Sequence, residues 1–139
     1  MLKKGTRAPE FDLVDQDGKR HTLKSLLAKG PLILYFYPAD FTPGCTKEAC
    51  TFRDLQNDLL RAKLRVVGVS PQDADSHRKF AAQHNLNFTL LADQEKKAVK
   101  AYDVELAFRV ARSYFEIRRY RESRDLFYEL YQDGPKDRA

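Results

Sequence analysis

Cys45 and Cys50 are the only two cysteines in the 139-residue chain, and the first closes the run Pro38-Ala-Asp-Phe-Thr42-Pro-Gly-Cys45, directly after the apolar stretch 32–37. A strand that stops at a Pro/Gly turn and delivers a cysteine to the first turn of a helix is a way of making a reactive thiolate. Unpaired backbone N–H groups point at the sulfur, and the positive end of the helix dipole favours its anion. The expectation is a nucleophilic sulfur at Cys45. The competing reading is a buried structural thiol, since free cysteine packs as a small hydrophobe. Pro43-Gly44 and the polar Thr42 and Thr46 argue for the nucleophile. Thr42 itself has two readings, a hydroxyl that holds the sulfur or a helix cap. Cys50 is either a redox thiol or a small core residue.

Other chemistry is thin. With one cysteine pair and only His21, His77 and His84, the chain lacks the spaced ligand sets of a metal centre. His77 and His84 stand seven residues apart, on a similar face of one expected helix, and are read as surface residues. No metal and no cofactor are expected.

The stretch Tyr35-Phe-Tyr-Pro-Ala-Asp-Phe-Thr-Pro-Gly-Cys45-Thr-Lys-Glu-Ala-Cys50-Thr-Phe-Arg53-Asp resembles the active site of the peroxiredoxin Q subfamily, also called bacterioferritin comigratory protein. Matching features run through residues 5–13, Asp17-Gly18, 67–71, 88–93 and 101–104, about three quarters of the chain. The resemblance implies a thioredoxin-like fold and a thiol peroxidase acting on hydrogen peroxide and small organic hydroperoxides. Cys45 would attack the terminal peroxide oxygen and become a sulfenic acid. Thr42 would hold the thiolate and the attacked oxygen, Pro38 and Phe41 would shield the pocket, and the N–H groups of Gly44 and Cys45 would stabilise developing charge. Cys50 is implied as the resolving cysteine, and thioredoxin or a similar dithiol as the reductant. In an intact helix, five residues' separation places the two Cα atoms about 8.6 Å apart, beyond the ~7 Å reach of a disulfide, so bond formation requires the first turns to melt. The family also places an arginine beside the thiolate. Arg53 is either a surface ion-pair partner or a support of the site, and Arg112, before Ser113-Tyr-Phe, is the candidate from the later chain.

The elements that must position these residues are legible in the pattern. Phe11 and Leu13 alternate with polar residues, and Asp17-Gly18 predicts a hairpin returning toward His21-Thr-Leu23. Ser25 is read as the cap of a short helix from Leu26 to Lys29, ended by Gly30. The apolar run 31–37 predicts a strand buried on both faces. The next helix carries Ala49, Phe52, Leu55, Leu59 and Leu60 as one stripe. Residues 64–70 predict a second buried strand, followed by a helix capped near Asp73 that presents Phe80 and Ala81. Residues 88–91 supply a third strand and 94–102 a short helix. Strands alternating with helices predict an α/β chain with a parallel core sheet.

After Val104 the chain departs from the family pattern. Ala111, Tyr114, Tyr120, Ser123, Phe127 and Pro135 fall at the positions of a tetratricopeptide repeat of about 34 residues. Residues 105–139 contain seven arginines and one lysine against six and eleven in 1–104, which suggests a seam. The expectation is therefore a thioredoxin-like peroxiredoxin core over 1–104, lacking its closing strands, with a tetratricopeptide-like helical hairpin over 105–139 packed on it. The competing reading makes Arg112-Ser-Tyr-Phe-Glu-Ile117 a strand of the sheet with Arg112 beside the thiol.

A hydrophobic content of 42% suits one compact domain with a core. The net charge of +5 is interleaved along expected helices without stacking aromatics, so nucleic acid is not an expected partner. No apolar run approaches the ~20 residues of a membrane span, and Met1-Leu-Lys-Lys-Gly leads into a fold motif rather than a signal peptide. A cytoplasmic protein, monomeric or weakly self-associating, is expected. Against the full enzyme stand two readings, an interaction module whose repeat-like tail docks a partner helix and an incomplete hybrid with impaired activity.

Overall fold

The computed structural model describes residues 2–3 and 5–104. Strand β1 (Asp12–Asp15) turns at Asp17-Gly18 into β2 (Arg20–Thr22), as the alternation and the Asp-Gly pair predict. Gly18 takes the positive φ of 80° that the turn needs. Asp15 holds the hairpin from inside: its carboxylate accepts the N–H groups of Asp17 (2.8 Å) and Lys19 (3.0 Å) and faces His21 Nε2 at 2.7 Å.

The following helix differs in register from expectation. Helix α1 is Leu23–Leu27, capped by Thr22, with Ser25 three residues on as the reciprocal partner in a capping box. The earlier start buries Leu23 and Leu26 together.

β3 (Leu32–Phe36), β4 (Arg65–Ser70) and β5 (Thr89–Ala92) run parallel, and β1 joins β5 antiparallel, in the order β2-β1-β5-β4-β3. Alternation along these strands sends two sets of side chains to opposite faces. Ile33, Tyr35, Tyr37, Val66 and Leu90 join Cys45, Ala49, Phe52, Leu55 and Leu59 of the helices after β3, and Phe80 of the helix after β4. Phe36, Val67, Val69 and Leu91 pack on the other side with Leu26 and with Ala98 and Val99 of the last helix. The sheet is thus covered on both faces, which is why its strands read as unbroken apolar runs.

The long helix after β3 is two: α2 (Pro43–Asp54) and α3 (Gln56–Arg61), meeting at Leu55. Ala49, Phe52, Leu55 and Leu59 are buried as expected, but Leu60 is 52% exposed, because the stripe ends one residue earlier. α4 (Ala74–His84) is capped by Asp73, whose carboxylate accepts Ser76 N–H at 2.8 Å. It ends at Asn85 in the left-handed region. α5 (Lys97–Ala101) is shorter than the expected 94–102, since Asp93 to Lys96 form the turn that enters it. Gly68 answers to packing: a Cβ there would meet the Tyr35 ring, its cross-strand partner, at 2.9 Å. The expected helical hairpin of 105–139, its tetratricopeptide-like spacing and Arg112 lie outside the described residues.

Candidate active site around Cys45

The site begins where β3 ends. Tyr37 closes the strand, its N–H bonded to Val69 O at 3.0 Å, and residues 38–42 carry the chain across to α2. Pro38 and Ala39 are half-buried, Asp40 is buried, and Phe41 takes a positive φ of 66° with its ring edge-on to Phe80 at 5.3 Å. A phenylalanine adopts that backbone region only where its surroundings hold it. Thr42 stands at the N-cap of α2 in extended conformation, and Pro43 occupies the first turn, where its missing N–H costs nothing. Cys45 follows in that turn, 2% exposed.

Thr42 occupies the cap position yet makes no side-chain cap bond. Its hydroxyl instead donates to Ala39 O at 3.3 Å and stands in hydrogen-bond reach of the Cys45 sulfur. One hydrogen cannot serve both oxygen and sulfur at once. Both acceptors lie within its reach, an arrangement that suits a reacting group better than a cap. The main-chain amide of Ala39 is the second donor to the sulfur.

Burial opposes the help that the helix start is expected to give the anion. Burial pushes the Cys45 thiol above its ordinary value; Thr42 and Ala39 pull it down, and Glu48 and Asp40 push it up again. Desolvation of a sulfur that is almost fully covered is the largest of these influences. Among the described residues, the charged groups acting on this sulfur are both carboxylates.

Cys50 lies on the same unbroken helix, half-buried, and both cysteines are free thiols. Arg53 makes the ion pair that the sequence allowed and a second contact between helices. It pairs with Asp54 (Nε to Oδ1 3.0 Å) and donates Nη1 to His84 O at 2.6 Å, tying the end of α2 to the end of α4. Asp54 beside it holds its guanidinium above the ordinary value, and the nearby Cys50 adds to this.

His77 is not a surface residue. Its side chain is fully buried, with Nδ1 at 2.7 Å from Asp40 Oδ2 and Nε2 at 3.1 Å from Leu91 O. Tyr37 and Ser76 hydroxyls also donate to Asp40, at 2.7 and 2.8 Å. His84, by contrast, is half-buried with its ring edge on Phe80 at 5.2 Å. The signal for His77 was present: it precedes Phe80 by three and Ala81 by four residues, which puts all three on one face of α4. Asp40 carries no such signal, because its partners Ser76 and His77 lie 36 and 37 residues away in the chain. Among the described residues no group of three or more His, Cys, Asp or Glu side chains is arranged to hold a metal, and no helix is long and apolar enough to cross a membrane.

The family model of AhpC/TSA proteins matches residues 4–122. The chloroplastic peroxiredoxin Q of Triticum aestivum is 48% identical over 103 residues, 74% of this chain and 47% of that protein. The chain therefore spans about half the length of the curated relatives it matches. Among solved structures, peroxidoxin BcpB from Mycobacterium tuberculosis superposes with a TM-score of 0.73 at 38% identity, covering 75% of this chain and 68% of that one. A Xanthomonas campestris peroxiredoxin Q mutant gives 0.64 at 35% identity, covering 68% and 59%. Matched by the family model over most of its length, and sharing the thioredoxin-like sheet of these relatives, the chain belongs to the AhpC/TSA family.

Proposed function

We propose that the protein is a thiol-dependent peroxidase of the peroxiredoxin Q type, with Cys45 as the thiol that reacts with hydrogen peroxide and organic hydroperoxides. The observation that carries this reading is the Thr42 hydroxyl, placed at a helix N-cap but turned to the Cys45 sulfur and to Ala39 O. The thiolate takes the terminal oxygen of the hydroperoxide, the O–O bond breaks, and the departing alkoxide or hydroxide is protonated, leaving a sulfenic acid. Cys50 then attacks that sulfur and expels water, forming a disulfide. A dithiol of the thioredoxin class reduces the disulfide by exchange. A reducing compartment such as the cytoplasm belongs to the same reading.

Residues 105–139 enter the proposal in two forms. The tetratricopeptide-like helical pair rests on the spacing of its small and aromatic residues. The family match reaches residue 122 and so takes in Arg112 and Ser113 to Ile117, which favours the second form, a strand that brings a cation to a sulfur otherwise faced by Asp40 and Glu48.

Stopped-flow consumption of hydrogen peroxide by reduced protein tests the enzyme reading. The expected result is one rapid turnover in wild type and in Cys50→Ser and none in Cys45→Ser; equal first-turnover rates in wild type and Cys45→Ser overturn it. Loss of that turnover in Arg112→Ala, with folding intact, selects the strand form of the tail.

A further inference from the structure

Asp40 poses a difficulty that the proposed chemistry leaves unsolved. It lies between Ala39 and Thr42, the two residues that hydrogen-bond the Cys45 sulfur, so whatever fixes Asp40 fixes both donors. Its side chain is fully buried and gripped from three directions: by Tyr37 at the end of β3, and by Ser76 and His77 on α4. His77 passes the restraint on to β5 through Leu91 O. A neutral side chain would hold the loop with less consequence for the sulfur, because a carboxylate beside a thiolate opposes it.

We propose that His77 is a positioning residue of the thiol site, balancing the charge of Asp40 so that the loop carrying Thr42 and Cys45 is clamped to α4 and β5 without an uncompensated anion beside the sulfur. The geometry supports charge balance directly. Leu91 O only accepts, so His77 Nε2 carries a hydrogen, and Nδ1 and Asp40 Oδ2 share one further proton across 2.7 Å. Wherever that proton sits, the pair is net neutral. With His77 gone, Asp40 keeps the Tyr37 and Ser76 donors that suit a carboxylate and loses the group that cancels its charge. Burial and the carboxylate of Asp40 also push the Tyr37 hydroxyl well above its ordinary value, so Tyr37 stays a donor. Among the described residues the remaining titratable neighbour of the sulfur is Glu48, which is the same in every variant below.

This inference rests on Cys45 being the reacting thiol, but its test needs no peroxide. In a Cys50→Ser background Cys45 is the sole thiol, and its alkylation by iodoacetamide is followed across pH. His77→Gln, which keeps a donor but no charge, is expected to move the profile to higher pH and to slow alkylation at neutral pH roughly tenfold, the scale of one uncompensated charge near the sulfur. Adding Asp40→Asn to His77→Gln removes the uncompensated anion and is expected to restore the rate to within about threefold of the parent, a rescue that a merely structural role would not give. An unchanged profile in His77→Gln, or a double variant no faster than His77→Gln, overturns the proposal. Should His77→Gln fail to fold, the double variant is compared with the parent, and a loss of tenfold or more overturns it. Peroxide consumption by the Cys50→Ser parent separates the two readings: if it is absent while the alkylation pattern holds, the clamp stands and the peroxidase assignment falls.

Discussion

At the scale of single residues, the sulfur of Cys45 sits between opposing influences, and Thr42 is the side chain that works for the anion against burial. Burial raises the thiol, two carboxylates raise it further, and the Thr42 hydroxyl with the Ala39 amide lowers it. Thr42→Val keeps the shape and removes the hydrogen. The expected outcome is a slower first turnover with peroxide, by about tenfold to a hundredfold, whereas Thr42→Ser stays within a few-fold; the check is a rapid-mixing assay on both variants. The identity of this pair was legible in the sequence, because proline, threonine and cysteine at fixed spacing specify a turn and a helix start. The clamp was not. Asp40 and His77 are 37 residues apart, and their meeting depends on how α4 lies across the end of β3, which no local pattern records.

At the scale of elements, α2 combines a reactive first turn with a fixed end. Phe52 is fully buried between Tyr35 and Phe88, with ring centroids at 4.7 and 6.3 Å, and Arg53 is tied to His84 O. The helix is unbroken from Pro43 to Asp54 and both thiols are free, so a Cys45–Cys50 disulfide requires the earlier turns to open while the later one holds. Hydrogen exchange of the dithiol and disulfide forms is expected to show lost protection over residues 45–50 and retained protection in β3 and β4; an oxidised form with unchanged protection in α2 would rule this out. Gly68 is the corresponding constraint within the sheet. Gly68→Ala pushes a methyl against the buried Tyr35 ring and is expected to destabilise the fold by about 1–3 kcal/mol, read from urea unfolding. The core strands and α4 were legible from apolar runs and caps. The start of α1 and the exposure of Leu60 were not legible, because Thr22 takes the cap in place of Ser25 and the helix divides at Leu55.

At the scale of the molecule, two apolar layers close over one sheet, with the β1–β2 hairpin at one edge and β3 at the other edge of the described strands. The hairpin carries an acid-sensitive lock. Burial works against the Asp15 carboxylate, but His21 and the N–H groups of Lys19 and Asp17 outweigh it and hold its pKa below the ordinary value. A carboxyl lowered in the folded state contributes stability that is present above its unfolded value and is lost as pH falls through the folded one. Wild type is therefore expected to lose more stability than Asp15→Asn between pH 7 and pH 3, as measured by urea midpoints. The fold class was legible because strands alternating with helices leave few arrangements, and the antiparallel seat of β1 against β5 was not, because it joins residues far apart in sequence.

The most direct measurement is the mass of each cysteine after one equivalent of hydrogen peroxide. Reduced wild type is expected to lose two hydrogens, with the new bond joining Cys45 to Cys50, and Cys50→Ser to gain one oxygen on the Cys45 peptide. Oxygen on Cys50 in a Cys45→Ser protein at the wild-type rate, or an unmodified Cys45 in every form, would contradict a peroxide-reacting thiol at the start of α2.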